Sequence, residues 1–194
     1  HCDDMSSPSL QYCTFTNNTA NVNGGGLSCW NTSSPTLENC TFTDNTADVD
    51  GGGLSCKNAS PMLENCTLDN NSAKQGAGIY CKDSSPSIIN CEITDNIAVY
   101  NGGGVYCIGL SSPTIDNCTF ENNKSTHASG GGLHCYSDAS PIISNCTFLG
   151  NDSALNGGGL FCEKASPLLY NCTFTLNVSG SNGAGIYLCI DSDL

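Results

Sequence analysis

Apolar and polar residues alternate in short bursts along this chain. In Leu27-Ser28-Cys29, Cys40-Thr41-Phe42 and Leu54-Ser55-Cys56 every second side chain is apolar, the period of a strand that buries one face. No window carries the 3.6-residue rhythm of an amphipathic helix, and Gly, Asn, Ser and Thr are abundant throughout. About three bursts recur as a set: one at Pro-x-Leu/Ile, one at Cys-Thr-Phe and one at Gly-Gly-Leu-x-Cys. Between the first two the alternation breaks. Leu37 and Cys40 are three residues apart, so both face inward only if the chain turns between them, and Asn39 sits at the break. Asn65, Asn90, Asn117, Asn145 and Asn171 are its equivalents, with Tyr12 in that place in the first repeat.

Each set of bursts is one unit of an internal repeat. All seven prolines (Pro8, Pro35, Pro61, Pro86, Pro113, Pro141 and Pro167) follow a serine, at intervals of 27, 26, 25, 27, 28 and 26 residues. A Cys stands five residues after each proline, and five residues further on stands Asn18, Asn45, Asn71, Asn96, Asn123, Asn151 or Asn177. A glycine triplet or Gly-Ala-Gly opens at Gly24, Gly51, Gly76, Gly102, Gly130, Gly157 and Gly183. Asn suits corners, because its amide tolerates unusual backbone angles and bonds nearby backbone. Stacked in successive coils, the Asn18 row would form a structural ladder of amides. The glycines mark a third corner, where a side chain would not fit. Three strands separated by corners predict an all-β fold: a single-stranded parallel β-helix (β-solenoid) of triangular section, with about seven coils of 25–28 residues filling 1–194 as one domain. At ~4.8 Å per rung, seven coils make a rod about 34 Å long. Its interior would hold the Leu/Ile, Cys, Phe and Leu/Ile/Val rows with Ala20, Ala47, Ala73 and Ala98.

The elements F-x-x-N (Phe15 with Asn18, Phe42 with Asn45, Phe120 with Asn123, Phe148 with Asn151, Phe174 with Asn177) and G-G-G-[LIV] resemble the repeats of right-handed parallel β-helix surface proteins, including the polymorphic outer-membrane adhesins. The resemblance covers the whole chain and implies a right-handed coil. It speaks to fold more than to function, since such coils serve adhesins, structural fibres and polysaccharide-degrading enzymes alike.

Fifteen cysteines with no CxxC pair, and only three histidines, do not fit zinc chelate spacing; an oxidising, extracellular or cell-surface setting suits them better. They form two rows. Cys13, Cys40, Cys66, Cys91, Cys118, Cys146 and Cys172 precede the Phe position; Cys2, Cys29, Cys56, Cys81, Cys107, Cys135 and Cys162 follow the glycines, with Cys189 slipped by one residue. Both rows alternate with core residues and should point inward, either as two ladders of thiols packed as small hydrophobes or as one disulfide per coil. Pairing Cys29 with Cys40 and Cys56 with Cys66 closes loops of 11 and 10 residues; pairing Cys40 with Cys56 closes loops of 15 to 17. Cys189 is left over in the first register and Cys2 in the second. The co-occurrence of both rows in a coil with little other apolar core favours disulfides, each contributing on the order of 3 kcal/mol. No histidine partner repeats beside them, so a catalytic cysteine is not expected.

Eighteen acidic residues stand against five lysines, with no arginine and a net charge of −13. That charge repels phosphate backbones and anionic lipid, so nucleic acid is not an expected partner. No apolar run approaches the ~20 residues that span a bilayer, so no membrane insertion is expected. Pectate-lyase-like enzymes of this architecture need a calcium-binding acid cluster with a basic catalyst, or paired carboxylates with basic substrate contacts. The pairs Asp3-Asp4, Asp48/Asp50 and Asp191/Asp193 are too sparse for a calcium loop, and His1, His127 and His134 read as isolated surface residues. No catalytic, cofactor-binding or metal-ligating residue is therefore assigned.

Outward positions carry Thr14 and Thr16, Thr41 and Thr43, Thr173 and Thr175 in rank, like an ice-binding face, but acids interrupt the rank at Asp69, Glu92 and Glu121. Of the Asn-x-Ser/Thr sequons, those in the two corner rows should be buried, leaving Asn17, Asn31, Asn58 and Asn70 as glycan acceptors. Neither end shows a cap of the kind a solenoid needs. The expected role is a non-enzymatic extracellular rod or fibre subunit whose copies associate end to end. The alternative is an adhesin segment whose loops at 30–34 and 108–112 contact glycans or host or neighbouring surface proteins.

Overall fold

A computed structural model describes residues 1–189. Its 28 strands are two to four residues long and come four to a coil. In the first coil they are β1 (Ser9–Gln11), β2 (Thr14–Thr16), β3 (Thr19–Ala20) and β4 (Leu27–Trp30); in the second, β5 (Thr36–Glu38), β6 (Thr41–Thr43), β7 (Thr46–Ala47) and β8 (Leu54–Lys57). Each strand pairs in parallel with its counterpart one coil on, as β1 with β5, β2 with β6, β3 with β7 and β4 with β8. The result is a β-solenoid of seven coils walled by four seven-stranded sheets, which we refer to by their first strands. The section is four-sided where three strands were expected. The extra strand is the β3 type, whose two residues, one outward and one inward, are too few for alternation to register.

Each corner is made by a residue in the left-handed region. Between the β1 and β2 sheets it is Tyr12, Asn39, Asn65, Asn90, Asn117, Asn145 or Asn171, at φ 47° to 54°. Between β2 and β3 it is Asn17, Asp44, Asn70, Asp95, Asn122, Gly150 or Leu176, and between β3 and β4 the first glycine of the triplet. The fourth corner uses Asn31, Asn58, Asp83, Gly109, Ser137 and Lys164. This conformation costs an ordinary L-residue ~1–2 kcal/mol, and Gly, Asn and Asp bear it best, which accounts for the abundance of those three. The corner after β2 therefore lies one residue before the place expected from sequence, and the Asn18 row faces inward. The second glycine serves close approach: a Cβ on Gly25 would fall 2.5 Å from the carbonyl oxygen of Gly52 in the next coil.

The core runs the length of the coil. Leu37, Phe42, Leu54, Leu63, Leu68, Ile79, Ile88 and Ile93 are fully buried. Phenylalanines stack face to face, Phe15 on Phe42 at 4.6 Å and Phe148 on both Phe120 (4.5 Å) and Phe174 (4.6 Å). One interior row was not expected, because serine reads as polar: Ser33, Ala59, Ser84, Ser111 and Ala139, each two residues before a proline, are buried. Its hydroxyls accept backbone N–H groups, Ser84 from Ala59 (3.1 Å) and Ser111 from Ser84 (3.2 Å).

Candidate functional site

The Asn ladder is the most highly bonded feature. Asn71 Nδ2 donates to Phe42 O (2.9 Å) in the coil before and to Asn96 Oδ1 (3.0 Å) in the coil after. Its own Oδ1 accepts the backbone N–H and Nδ2 of Asn45, both at 3.0 Å. Nδ2-to-Oδ1 bonds join Asn18, Asn45, Asn71, Asn96, Asn123, Asn151 and Asn177 into one unbroken row. The five inner amides have no exposure to solvent, and a buried polar row of this kind is tolerated because its members are satisfied.

The cysteines form two further rows, and all fifteen are free, contrary to the disulfides favoured from sequence. Cys2, Cys29, Cys56, Cys81, Cys107, Cys135 and Cys162 lie one above another in the β4 sheet. Cys13, Cys40, Cys66, Cys91, Cys118, Cys146 and Cys172 stand just ahead of the β2-type strands. The sulfur neighbours of each thiol belong to its own row: Cys56 lies between Cys29 and Cys81, and Cys91 between Cys66 and Cys118. Pairing Cys29 with Cys40, Cys56 with Cys66 or Cys40 with Cys56 would join different walls of the coil. Cys189 is out of row, level with Glu163. A hydrogen bond with the following thiol pulls the Cys91 and Cys118 pKa values down, but the bond to the preceding thiol and burial prevail, and both are pushed up to about 12.

In the first and last described coils these rows are less covered. Leu10, Cys13 and Phe15 at one end, and Leu169, Cys172 and Phe174 at the other, are only partly buried, whereas their counterparts Leu63, Cys66 and Leu68 in the middle are sealed. The same holds for the Asn ladder. Asn177 Nδ2 bonds Phe148 O (2.9 Å) and has no amide beyond it among the described residues. Asn18 Nδ2 bonds Asn45, and no amide donates to its Oδ1 among the described residues. A cavity of about 640 Å³ bounded by Cys162, Leu169, Ile186 and Leu188 opens at the C-terminal end.

The outer faces hold the remaining sequence-predicted positions. Thr14 lies beside Thr41 and Thr16 beside Thr43, and the ranks are broken by Asp69, Glu92, Glu121 and Leu149. Asn17, Asn31, Asn58 and Asn70 are exposed at corners. Asn65, Asn117, Asn145 and Asn171, expected to be buried, are exposed too, because the left-handed corner turns the side chain outward. Asp3 accepts from Asn31 Nδ2 at 2.9 Å, Asp50 is buried against Lys57, and Asp191/Asp193 lie outside the described residues. Among the described residues no group of three or more His, Cys, Asp and Glu is placed to hold a metal ion.

A family model described as the right handed beta helix region matches residues 3–120 and 116–194. The chain belongs to that family. No curated protein and no solved structure matches it.

One row of this right-handed β-helix escaped the sequence reading. The second position of each β4-type strand points outward and carries Ser28, Ser55, Tyr80, Tyr106, His134, Phe161 and Tyr187 in register. From Tyr80 onward the rings form a continuous row with centroids 5.7, 5.0, 4.5 and 5.5 Å apart, edge to face from Tyr80 to His134, tilted between His134 and Phe161 and parallel between Phe161 and Tyr187. Tyr80, Tyr106, His134 and Phe161 are nonetheless buried, because the glycine corner lies over the strand: a Cβ on Gly130 would fall 2.6 Å from His134 Cβ. His134 is thus no surface histidine. Its Nδ1 pairs with Ser129 O at 3.0 Å, and burial lowers its pKa to about 4. The available signal was five aromatic or imidazole rings at one offset in successive repeats.

Proposed function

We propose that this β-helix is a non-enzymatic structural rod outside the cell, lengthened by head-to-tail stacking of copies. The supporting observation is that its end faces match row for row. Phe174 of one copy would meet Phe15 of the next, Leu169 would meet Leu10, and Cys172 would meet Cys13. The spare Asn177 Nδ2 proton would reach Asn18 Oδ1, continuing the ladder in its own polarity. Such a contact is heterologous and does not close, so it propagates into a fibre. Export and glycan attachment at Asn17, Asn31, Asn58 and Asn70 belong to the same reading.

Negative-stain electron microscopy and sedimentation of the purified chain over a concentration series test it. Filaments with an axial repeat of about 34 Å, abolished by Phe174→Lys, are the expected result; isolated short rods at every concentration refute it. A second reading, adhesion through side loops as in the outer-membrane adhesins that the repeats resemble, is favoured by Leu110, which is 75% exposed on the 108–112 loop. Leu110→Ser would then reduce binding to cell surfaces and leave stacking unchanged.

A further inference from the structure

The two thiol rows differ in what their sulfurs do. Every sulfur of the row from Cys13 to Cys172 donates to the backbone carbonyl two residues before it, at 3.0 to 3.4 Å. In the row from Cys2 to Cys162, Cys56, Cys81, Cys107 and Cys135 bond no carbonyl among the described residues; their side-chain partners are the thiols of the rungs before and after. From Cys29 to Cys135 this second row has no exposure to solvent, and Leu54, Ile79, Val105 and Leu133, two residues before their cysteines, are sealed beside it. Register makes it a straight column. From Cys29 onward its members are Cα partners on successive rungs, ~4.8 Å apart, and Cys2 is bridged to Cys29.

That spacing selects the chemistry. A disulfide needs Cβ atoms about 3.5–4.5 Å apart, closer than in-register rungs bring them, so the column stays as thiols. A structural zinc ion takes four ligands around one point. A straight column offers any point only two sulfurs, and among the described residues no group of three or more His, Cys, Asp and Glu gathers to hold an ion. Two-coordinate ions remain. Two metal–sulfur bonds of about 2.3 Å in a line, each the length of a zinc–thiolate bond, span about 4.6 Å and so fit one rung. Soft d10 ions accept such a pair of sulfurs, whereas hard ions take oxygen.

We infer that the column from Cys2 to Cys162 binds soft d10 metal ions of the class of Cu(I), Ag(I) and Hg(II), each held in a line between two thiols on adjacent rungs. A divalent ion displaces the protons of both thiols and a monovalent ion the proton of one. The protons pass to solvent, and the unit left in the apolar interior is neutral in either case. The net charge of −13 draws cations to the chain, and Cys162 lines the cavity of about 640 Å³, where an ion first meets the column. A sulfur turned toward one rung does not serve the other, so seven thiols hold at most three ions. The site does not depend on end-to-end stacking.

Parity tests this. Without Cys81 the column is split into three thiols and three, which hold one ion each; without Cys56 it is split into two and four, which hold one and two. The intact chain is loaded anaerobically with Hg(II) or Ag(I), freed of loose ions by buffer exchange and weighed by native mass spectrometry. Counts are read as differences from the unsubstituted chain, so that ions held at other cysteines cancel. Cys81→Ala is expected to lose one ion and Cys56→Ala none, with two sulfur neighbours per ion by X-ray absorption. An indicator dye should report two protons released per Hg(II) and one per Ag(I). Loading during refolding from urea covers slow entry into the native column, and Cys81→Val with Cys56→Val repeats the comparison if alanine loosens the core. Equal losses in the two variants, three or more sulfurs per ion, or no uptake by either route overturns the inference and leaves the column as core packing.

Discussion

Replacing Asn71 by alanine tests whether the amide ladder carries stability. The side chain makes four hydrogen bonds: two from Nδ2, to Phe42 O and Asn96 Oδ1, and two to Oδ1, from the N–H and Nδ2 of Asn45. At about 1 kcal/mol net for each bond the loss is about 4 kcal/mol. Asn96 Oδ1 and Asn45 Nδ2 keep another partner, but the Asn45 N–H loses its acceptor where there is no solvent exposure, and such an orphan costs about 1–3 kcal/mol, so about 5 to 7 kcal/mol in all is expected. Asn18→Ala is the internal control, since the Asn18 side chain makes one such bond, to Asn45 Oδ1 at 2.8 Å, and should cost under about 1 kcal/mol. Urea unfolding followed by far-UV circular dichroism gives both values. Because coils contact only their neighbours, a break at mid-length should also divide the rod into separately melting halves and lower the m-value. Equal costs at Asn71 and Asn18, with an unchanged m-value, would refute the reasoning.

Leu176 holds a left-handed corner at φ 56° while 77% exposed, so Leu176→Asn should stabilise by about 1 kcal/mol, and a fall in Tm would mean that its side chain packs. Cys91 and Cys118 are raised from 9.0 to about 12, so from pH 9 to 12 the folded state holds protons that the unfolded state has lost. Stability is complete below pH 9 and falls through that window by up to about 1.4 kcal/mol per thiol per pH unit; a flat urea midpoint there contradicts the buried ladder. His134 is lowered from 6.5 to about 4, so its contribution is present above pH 6.5 and lost as pH falls to 4, on the order of 3 kcal/mol in all. His134→Phe, matching Phe161 one coil on, should flatten the acid limb of the pH–stability profile and leave the neutral value nearly unchanged.

Much of the fold was legible because parity arguments need only sequence. The three-residue step from Leu37 to Cys40 forces a turn, and the residue at that turn, Asn39, does hold a positive φ. The β3-type strand was not legible, since two residues cannot display a period of two. The state of the cysteines was not legible either: sequence places Cys29, Cys40 and Cys56 inside, but which sulfurs face each other depends on which wall carries each row. The burial of His134 and its neighbours arises from a glycine corner folding over the outside of a strand. A binary pattern of inward and outward positions has no symbol for that. The end faces are likewise products of stacking, visible only when residues about 26 apart in sequence are set side by side.

The stack of like rungs also creates an error that a non-repetitive fold never meets. A coil could dock on the next but one, leaving a loop of 25 to 28 residues outside, and still form most of its backbone pairs. The interior rows are not uniform enough to permit this freely. Rings stack at Phe15 and Phe42, branched aliphatics follow at Leu68 and Ile93, and rings return at Phe120, Phe148 and Phe174. Ala47, Ala73 and Ala98 give way to Ser125 and Ser153, whose hydroxyls bond Tyr100 O and Asn156 O. A skipped coil would set rings against aliphatics and leave a serine without its carbonyl. Differences that look like drift among copies thus act as an address for each coil, and hold seven similar units to a single threading order.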